Sequence, residues 1–144
     1  MEPAVVDTSR SPHARLRALS VRAVRLRDAF WERRRTVNRE VTLPSQRDHC
    51  EATHRLRNFD RASGVVDAPF EGIFFNDSDV YKWLEAAAWS LASEPDAALD
   101  AQLDAVIARV AAAQQPDGYL NTYFMFDLAH ERFANLRDMH EIYC

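Results

Sequence analysis

The sequence predicts an all-α chain made of helical hairpins, and three observations predict it. Val80, Trp83, Leu84, Ala87 and Leu91 fall at i, i+3, i+4, i+7 and i+11, which is one face of a helix. Leu99, Leu103, Val106, Ile107 and Val110 mark a second helix from about Ala97 to Gln114. Between them Ser93-Glu94-Pro95-Asp96 is a break, with Pro95 stopping one helix and Asp96 able to cap the next. Two helices joined this way form an αα-hairpin. Hairpins set in a ring make an α/α toroid of about twelve helices, with a pocket lined by loops at one end. Four or five helices are expected here, so the chain reads as a portion of such a ring.

The elements follow in order. Residues 1–23 read as a loosely ordered leader, with Pro3 and Pro12 among small polar residues and no sustained apolar period. Ser20 to Val24 is expected as a short strand. Around Arg25–Val37 a solvated, Arg-rich helix is expected, and Leu43-Pro44-Ser45 opens another, because proline is tolerated in a first turn. The run from Gln46 to Ala62 has few breakers and is expected to continue that helix, with Cys50, His54, Leu56 and Phe59 roughly along one side. Ser63 to Pro69 is a linker into an aromatic loop holding Gly72. Asp77 or Ser78 is the expected N-cap of the next helix, each having a short oxygen that accepts a first-turn N–H. Pro116-Asp117-Gly118 is a turn in which proline sets φ, aspartate bonds locally and glycine takes φ > 0. The segment from Asn135 to Cys144 reads as the start of a further helix.

Composition narrows the class. The chain has 144 residues, 47% hydrophobic and 28% charged, enough to bury a core and unlike a disordered chain. Net charge is -4, yet residues 1–40 hold ten Arg against five acids. Arg33-Arg34-Arg35 invites a nucleic-acid reading, but Phe30 and Trp31 sit beside Asp28 and Glu32 and no recognition motif follows, so no nucleic-acid partner is expected. No segment approaches the roughly 20 apolar residues of a membrane span, so no membrane association is expected. Two distant cysteines, Cys50 and Cys144, make no disulfide framework and point to a reducing, cytoplasmic setting. Cys50 and His54 stand at i, i+4, but a structural zinc needs four ligands and no second pair is near. They read as a packed thiol and a hydrogen-bonded histidine, with no metal held by this chain.

The chemistry-bearing residues lie in the loops. Asp77 and Asp79 stand at a helix mouth beside aromatics, and Tyr119, Asn121 and Tyr123 follow the Pro-Asp-Gly turn. Such a set suits a sugar, whose hydroxyl edges want Asn and Asp and whose C–H face wants an aromatic platform. His140 and Glu141, adjacent in sequence, point apart on a helix and make no acid/base dyad with each other.

Three motifs then occur in order: Phe74-Phe75-Asn76-Asp77-Ser78-Asp79-Val80-Tyr81-Lys82-Trp83-Leu84-Glu85-Ala86, Asp117-Gly118-Tyr119-Leu120-Asn121-Thr122-Tyr123, and Asn135-Leu136 with His140-Glu141-Ile142-Tyr143-Cys144. With Phe30-Trp31, Arg55 and Asn58-Phe59, they resemble the beta-L-arabinofuranosidase family of glycoside hydrolases, family 127, formerly a domain of unknown function. The likeness runs from about Val24 to the last residue, so residues 24–144 are expected to be the N-terminal part of the family's catalytic domain. The resemblance implies an (α/α)6 barrel followed by β-sandwich domains, and retaining hydrolysis of a terminal beta-L-arabinofuranoside. It implies a cysteine thiolate as nucleophile, a zinc ion held by a glutamate and cysteines, and another glutamate as acid/base. Those groups lie downstream of the His-Glu-x-Tyr-Cys motif in the family, and Cys144 is not one of them. What carries over is His140, matching a sugar-hydroxyl contact, with Asp77, Asp79, Tyr119, Asn121 and Tyr123 at the pocket mouth. The chain alone is accordingly expected to be inactive and to act on carbohydrate only within a longer parent. Two other readings stay open on the residues: a non-catalytic helical interaction module, and part of another sugar-active α/α barrel such as an epimerase or uronide hydrolase.

Overall fold

The computed structural model of the chain describes residues 5–142, and all regular elements among them are helical. Five α-helices follow in order: α1 (Ala29–Val37), α2 (Leu43–Ala52), α3 (Arg55–Ala62), α4 (Asp77–Ser93) and α5 (Ala97–Ala113). Val21–Ala23 and Phe126–Glu131 are short 3-10 turns.

Asp28 starts α1, its carboxylate accepting the Trp31 N–H at 2.9 Å. No residue of α1 is buried, as expected of a solvated Arg-rich helix. It runs into α2 through a wide π turn at Asn38–Thr42, where the backbone stays helical. Pro44 has no N–H to return to the preceding turn, and a widened turn absorbs that missing bond. Leu43, 1% exposed, anchors this junction.

Two expectations fail nearby. Ser20–Val24 is no strand: Val21–Ala23 is a 3-10 turn capped by Ser20, because no described strand exists for it to pair with. The helix expected from Gln46 to Ala62 breaks at Thr53–His54. The Thr53 hydroxyl donates to the His49 carbonyl at 2.6 Å, and His54 turns left-handed at φ 61°. His54 Nδ1 lies 2.5 Å from a Glu71 oxygen, a tertiary contact that helical periodicity cannot reveal.

The core lies between α2, α3, α4 and α5. Phe59, Leu56, Val80, Trp83, Ala87, Leu99, Leu103 and Val106 are all buried in it. Each of these side chains larger than alanine contributes roughly 1.5–3 kcal/mol by leaving water. Trp83 also donates its indole N–H to the Leu43 carbonyl at 2.9 Å, pinning α4 to the head of α2. Arg109 of α5 ties the other side, donating to Asp60 of α3 at 2.6 and 2.9 Å and to Glu51 of α2 at 2.8 Å. The α4–α5 hairpin turns at Glu94–Asp96, and Asp96 accepts the N–H groups of Ala98 and Leu99 as expected. Ile107 alone of the predicted α5 stripe is exposed, at 46%. Cys50 is a buried free thiol, and burial pushes its pKa up.

The last segment departs from expectation as well. Residues 135–142 form turns rather than a helix start, and the Met139 N–H bonds back to the Asn135 carbonyl at 3.2 Å. Phe133 and His140 are left-handed, at φ 62° and 54°, which no continuing helix permits. Tyr143 and Cys144 lie outside the described residues.

Candidate functional site

Two loops supply the candidate site: 70–76 before α4, and 114–125 after α5. The first is held by Asn58, whose amide donates to the Glu71 carbonyl at 2.9 Å and accepts the Glu71 N–H at 3.1 Å. Asn76 donates to the same carbonyl at 3.0 Å. Gly72 is left-handed at φ 96°, and a Cβ there would stand 2.0 Å from Asn76 Nδ2. The glycine is required by this close approach.

Neither residue expected to cap α4 does so. Asn76 is already helical and precedes the first turn without a side-chain cap bond. Asp77, 1% exposed, reaches across to the second loop instead, accepting the Thr122 N–H at 2.7 Å and the Thr122 hydroxyl at 2.6 Å. Ser78 donates to the Phe75 carbonyl at 2.9 Å. A tertiary partner with two donors outweighs a local cap. Burial pushes the Asp77 pKa up, and the two Thr122 bonds oppose that rise.

The second loop is shaped by its own side chains. The Pro-Asp-Gly turn forms as predicted, with Gly118 at φ 88° and the Tyr119 N–H donating to Asp117 at 3.0 Å. Asn121, 2% exposed, accepts from the N–H groups of Tyr123 and Phe124 at 2.9 and 3.0 Å. Tyr119 donates to Glu141 at 2.5 Å, and the Arg132 guanidinium lies 3.9 Å from its ring centre. Burial, then the bond to Glu141, raises the Tyr119 pKa far above the ordinary phenol value. Asp79 accepts from Arg55 Nε at 2.7 Å, near the broken end of α2.

The structure brings part of the predicted set together. Phe74 is central: its ring centre lies 5.0 Å from that of Phe75, 6.2 Å from Tyr123 and 5.9 Å from His140. The His140 ring stacks on Phe75 at 5.5 Å and 25°. Tyr123 meets Phe70 edge-on at 5.0 Å. Tyr123 and His140 therefore share one aromatic face built from three separate segments. Asp77 and Asn121 are buried with their oxygens engaged, and Tyr119 belongs to the Glu141 contact rather than to the aromatic face. Sequence reading named Phe74 and Phe75 only as motif members; two consecutive aromatics before an Asn-Asp run were the available signal. Thr122 and Glu141 stood in the motifs, but their roles here could not be read from them, since those roles lie in distant partners.

A concavity of about 970 Å³ lies elsewhere, between residues 21–27, Arg35 and residues 92–95, and no predicted site residue lines it. Among the described residues, no three His, Cys, Asp or Glu side chains converge as a metal site, so the zinc implied by the resemblance has no fitting ligand set among them. No described helix is long and apolar enough to cross a membrane.

Packed helical hairpins whose connecting loops gather an aromatic face at one end are the build of a domain of the α/α class. The family model described as "Beta-L-arabinofuranosidase, GH127 catalytic domain" matches residues 23–144, and the chain belongs to that family. A curated relative, the non-reducing end beta-L-arabinofuranosidase of Bifidobacterium longum subsp. longum, is 36% identical over 143 aligned residues, taking in 83% of this chain and 22% of the relative. The crystal structure of a GH127 beta-L-arabinofuranosidase from Geobacillus stearothermophilus T6 superposes with a TM-score of 0.81 at 43% identity, over 84% of this chain and 20% of that one. A second solved GH127 beta-arabinofuranosidase gives 0.75 at 38% identity, over 86% and 21%. The helices are thus the N-terminal part of the family's (α/α)6 barrel, and the chain spans about a fifth of the length of the relatives it matches.

Proposed function

We propose that this chain supplies one wall of the sugar-binding cleft of a glycosidase that releases terminal beta-L-arabinofuranosyl units. The observation that carries the reading is the convergence of Phe74, Phe75, Tyr123 and His140 into one face on a family-127 barrel segment. In this reading the aromatic rings meet the C–H face of the sugar and His140 bonds a ring hydroxyl. Asp79, whose side chain is 42% exposed, offers a further acceptor. Asp77 acts behind that surface, joining the two loops through Thr122, while Asn121 shapes the second loop and Tyr119 ties that loop to Glu141. The nucleophile, the acid/base and the ligands of a zinc ion belong to parts of the parent enzyme outside these residues. A division of the chain near residues 23–24 is supported by the family match, which begins at residue 23. The two sparse cysteines support a cytoplasmic setting.

The test is hydrolysis of 4-nitrophenyl beta-L-arabinofuranoside by the parent enzyme, with release of L-arabinose expected. Absence of release from every furanoside and pyranoside tried refutes the reading. The 144-residue chain alone is expected to show no turnover.

A further inference from the structure

His140 is followed by a residue of opposite character. His140 is exposed on the aromatic face, whereas Glu141 is only 4% exposed. One Glu141 oxygen accepts the Tyr119 hydroxyl at 2.5 Å, and the other accepts the Phe133 N–H at 2.6 Å. Only a carboxylate accepts on both oxygens; a glutamine in its place accepts on one. The two donors lie on different segments, Tyr119 in the loop after α5 and Phe133 in the turn before His140.

The backbone explains why such an anchor is needed. Phe133 and His140 both hold left-handed φ values, 62° and 54°, which cost energy for residues with a Cβ. They bracket residues 134–139, and the Phe133-to-Glu141 bond closes that stretch into a ring. Neighbouring contacts brace it. Tyr119 packs edge-on against Phe133 at 5.6 Å, and Arg132, above Tyr119, donates Nε–H to the Phe124 carbonyl at 3.0 Å. The carboxylate thus ties the turn that presents His140 over Phe75 to the loop after α5.

We infer that Glu141 is a positioning residue: by gripping Tyr119 with one oxygen and the Phe133 backbone with the other, it fixes the turn that sets the His140 ring on Phe75 at the sugar-binding face. The inference rests on the sugar-contact role proposed for His140. Glu141 touches no substrate and acts through its neighbour.

The test is a double-mutant cycle in the parent enzyme. Glu141→Gln is expected to lose about tenfold in kcat/KM, carried by KM, the worth of one misplaced hydrogen bond to the sugar. His140→Ala loses a similar factor, and the double variant loses no more than His140→Ala alone, because both changes remove the same contact. Losses that multiply overturn the inference. Should Glu141→Gln fail to fold, Tyr119→Phe, which removes one donor and keeps the carboxylate, carries the same cycle. A second measurement is independent of activity. In the parent enzyme, isotope-labelled at histidine and assigned with His140→Ala, the His140 Hε1 resonance is expected upfield from the Phe75 ring current, and Glu141→Gln returns it toward the free-histidine position. An unmoved resonance overturns the inference even where the parent is active. A silent wild-type enzyme refutes the glycosidase reading instead.

Discussion

Asp77 offers the sharpest test of how the two loops are joined. Its carboxylate is 1% exposed and accepts both the N–H and the hydroxyl of Thr122, itself 0% exposed. In Asp77→Ala both donors are left in a dry interior. Each unsatisfied group costs about 1–3 kcal/mol, so the substitution is expected to cost about 3–5 kcal/mol. Asp77→Asn is nearly isosteric: its carbonyl accepts the Thr122 N–H and its amide donates to the hydroxyl oxygen. It is expected to cost only about 1 kcal/mol at neutral pH.

The same pair carries a pH signature. Burial raises the folded-state pKa of Asp77 above the ordinary 3.8. As pH rises, the unfolded carboxyl releases its proton first, so between the two values the folded chain binds more protons. Stability from this group is full below the unfolded value and is lost as pH rises through the folded one. Wild type therefore gains on Asp77→Asn as pH falls from neutral through that window. Urea unfolding followed by circular dichroism at several pH values from 7 to 4 reads both effects as midpoint shifts at constant m. If Asp77→Asn costs as much as Asp77→Ala, charge rather than acceptor geometry joins the loops and the reasoning fails. A pH-independent difference between wild type and Asp77→Asn refutes the buried-carboxylate argument.

Two further expectations concern stability. Gly72→Ala is expected to cost about 2–3 kcal/mol, since its Cβ would meet Asn76 Nδ2 and the backbone is left-handed; thermal unfolding and the near-ultraviolet signal of Phe74 and Phe75 check it. Arg109→Met is expected to cost about 1–2 kcal/mol by releasing Asp60 and Glu51, with a cycle against Asp60→Asn returning most of that as coupling.

Helix periodicity was a sound guide wherever a helix is amphipathic on its own account. The stripes of α4 and α5, the Pro95–Asp96 hinge and the Pro-Asp-Gly turn each depend on residues within a few positions of one another, and apart from the exposed Ile107 each formed as expected. Two of the misreadings share one cause. Thr53–His54 breaks a helix because Glu71 lies beside His54, and Asp77 leaves its cap position because Thr122 offers two donors. Both partners are remote in sequence. The Ser20–Val24 segment has strand-like residues but no described strand to pair with.

The residues by themselves determined the helical hairpins, the loops that carry polar and aromatic groups, and the family likeness, because all three are written in local spacing and ordered motifs. Only the tertiary structure decided which of those groups face outward together. Asp77 turned inward to satisfy the buried Thr122 donors, while Tyr123 and His140 met across Phe74. The physical reason is that a buried N–H or hydroxyl claims whatever acceptor the fold brings near it, and that choice rests on distance in space rather than on position along the chain.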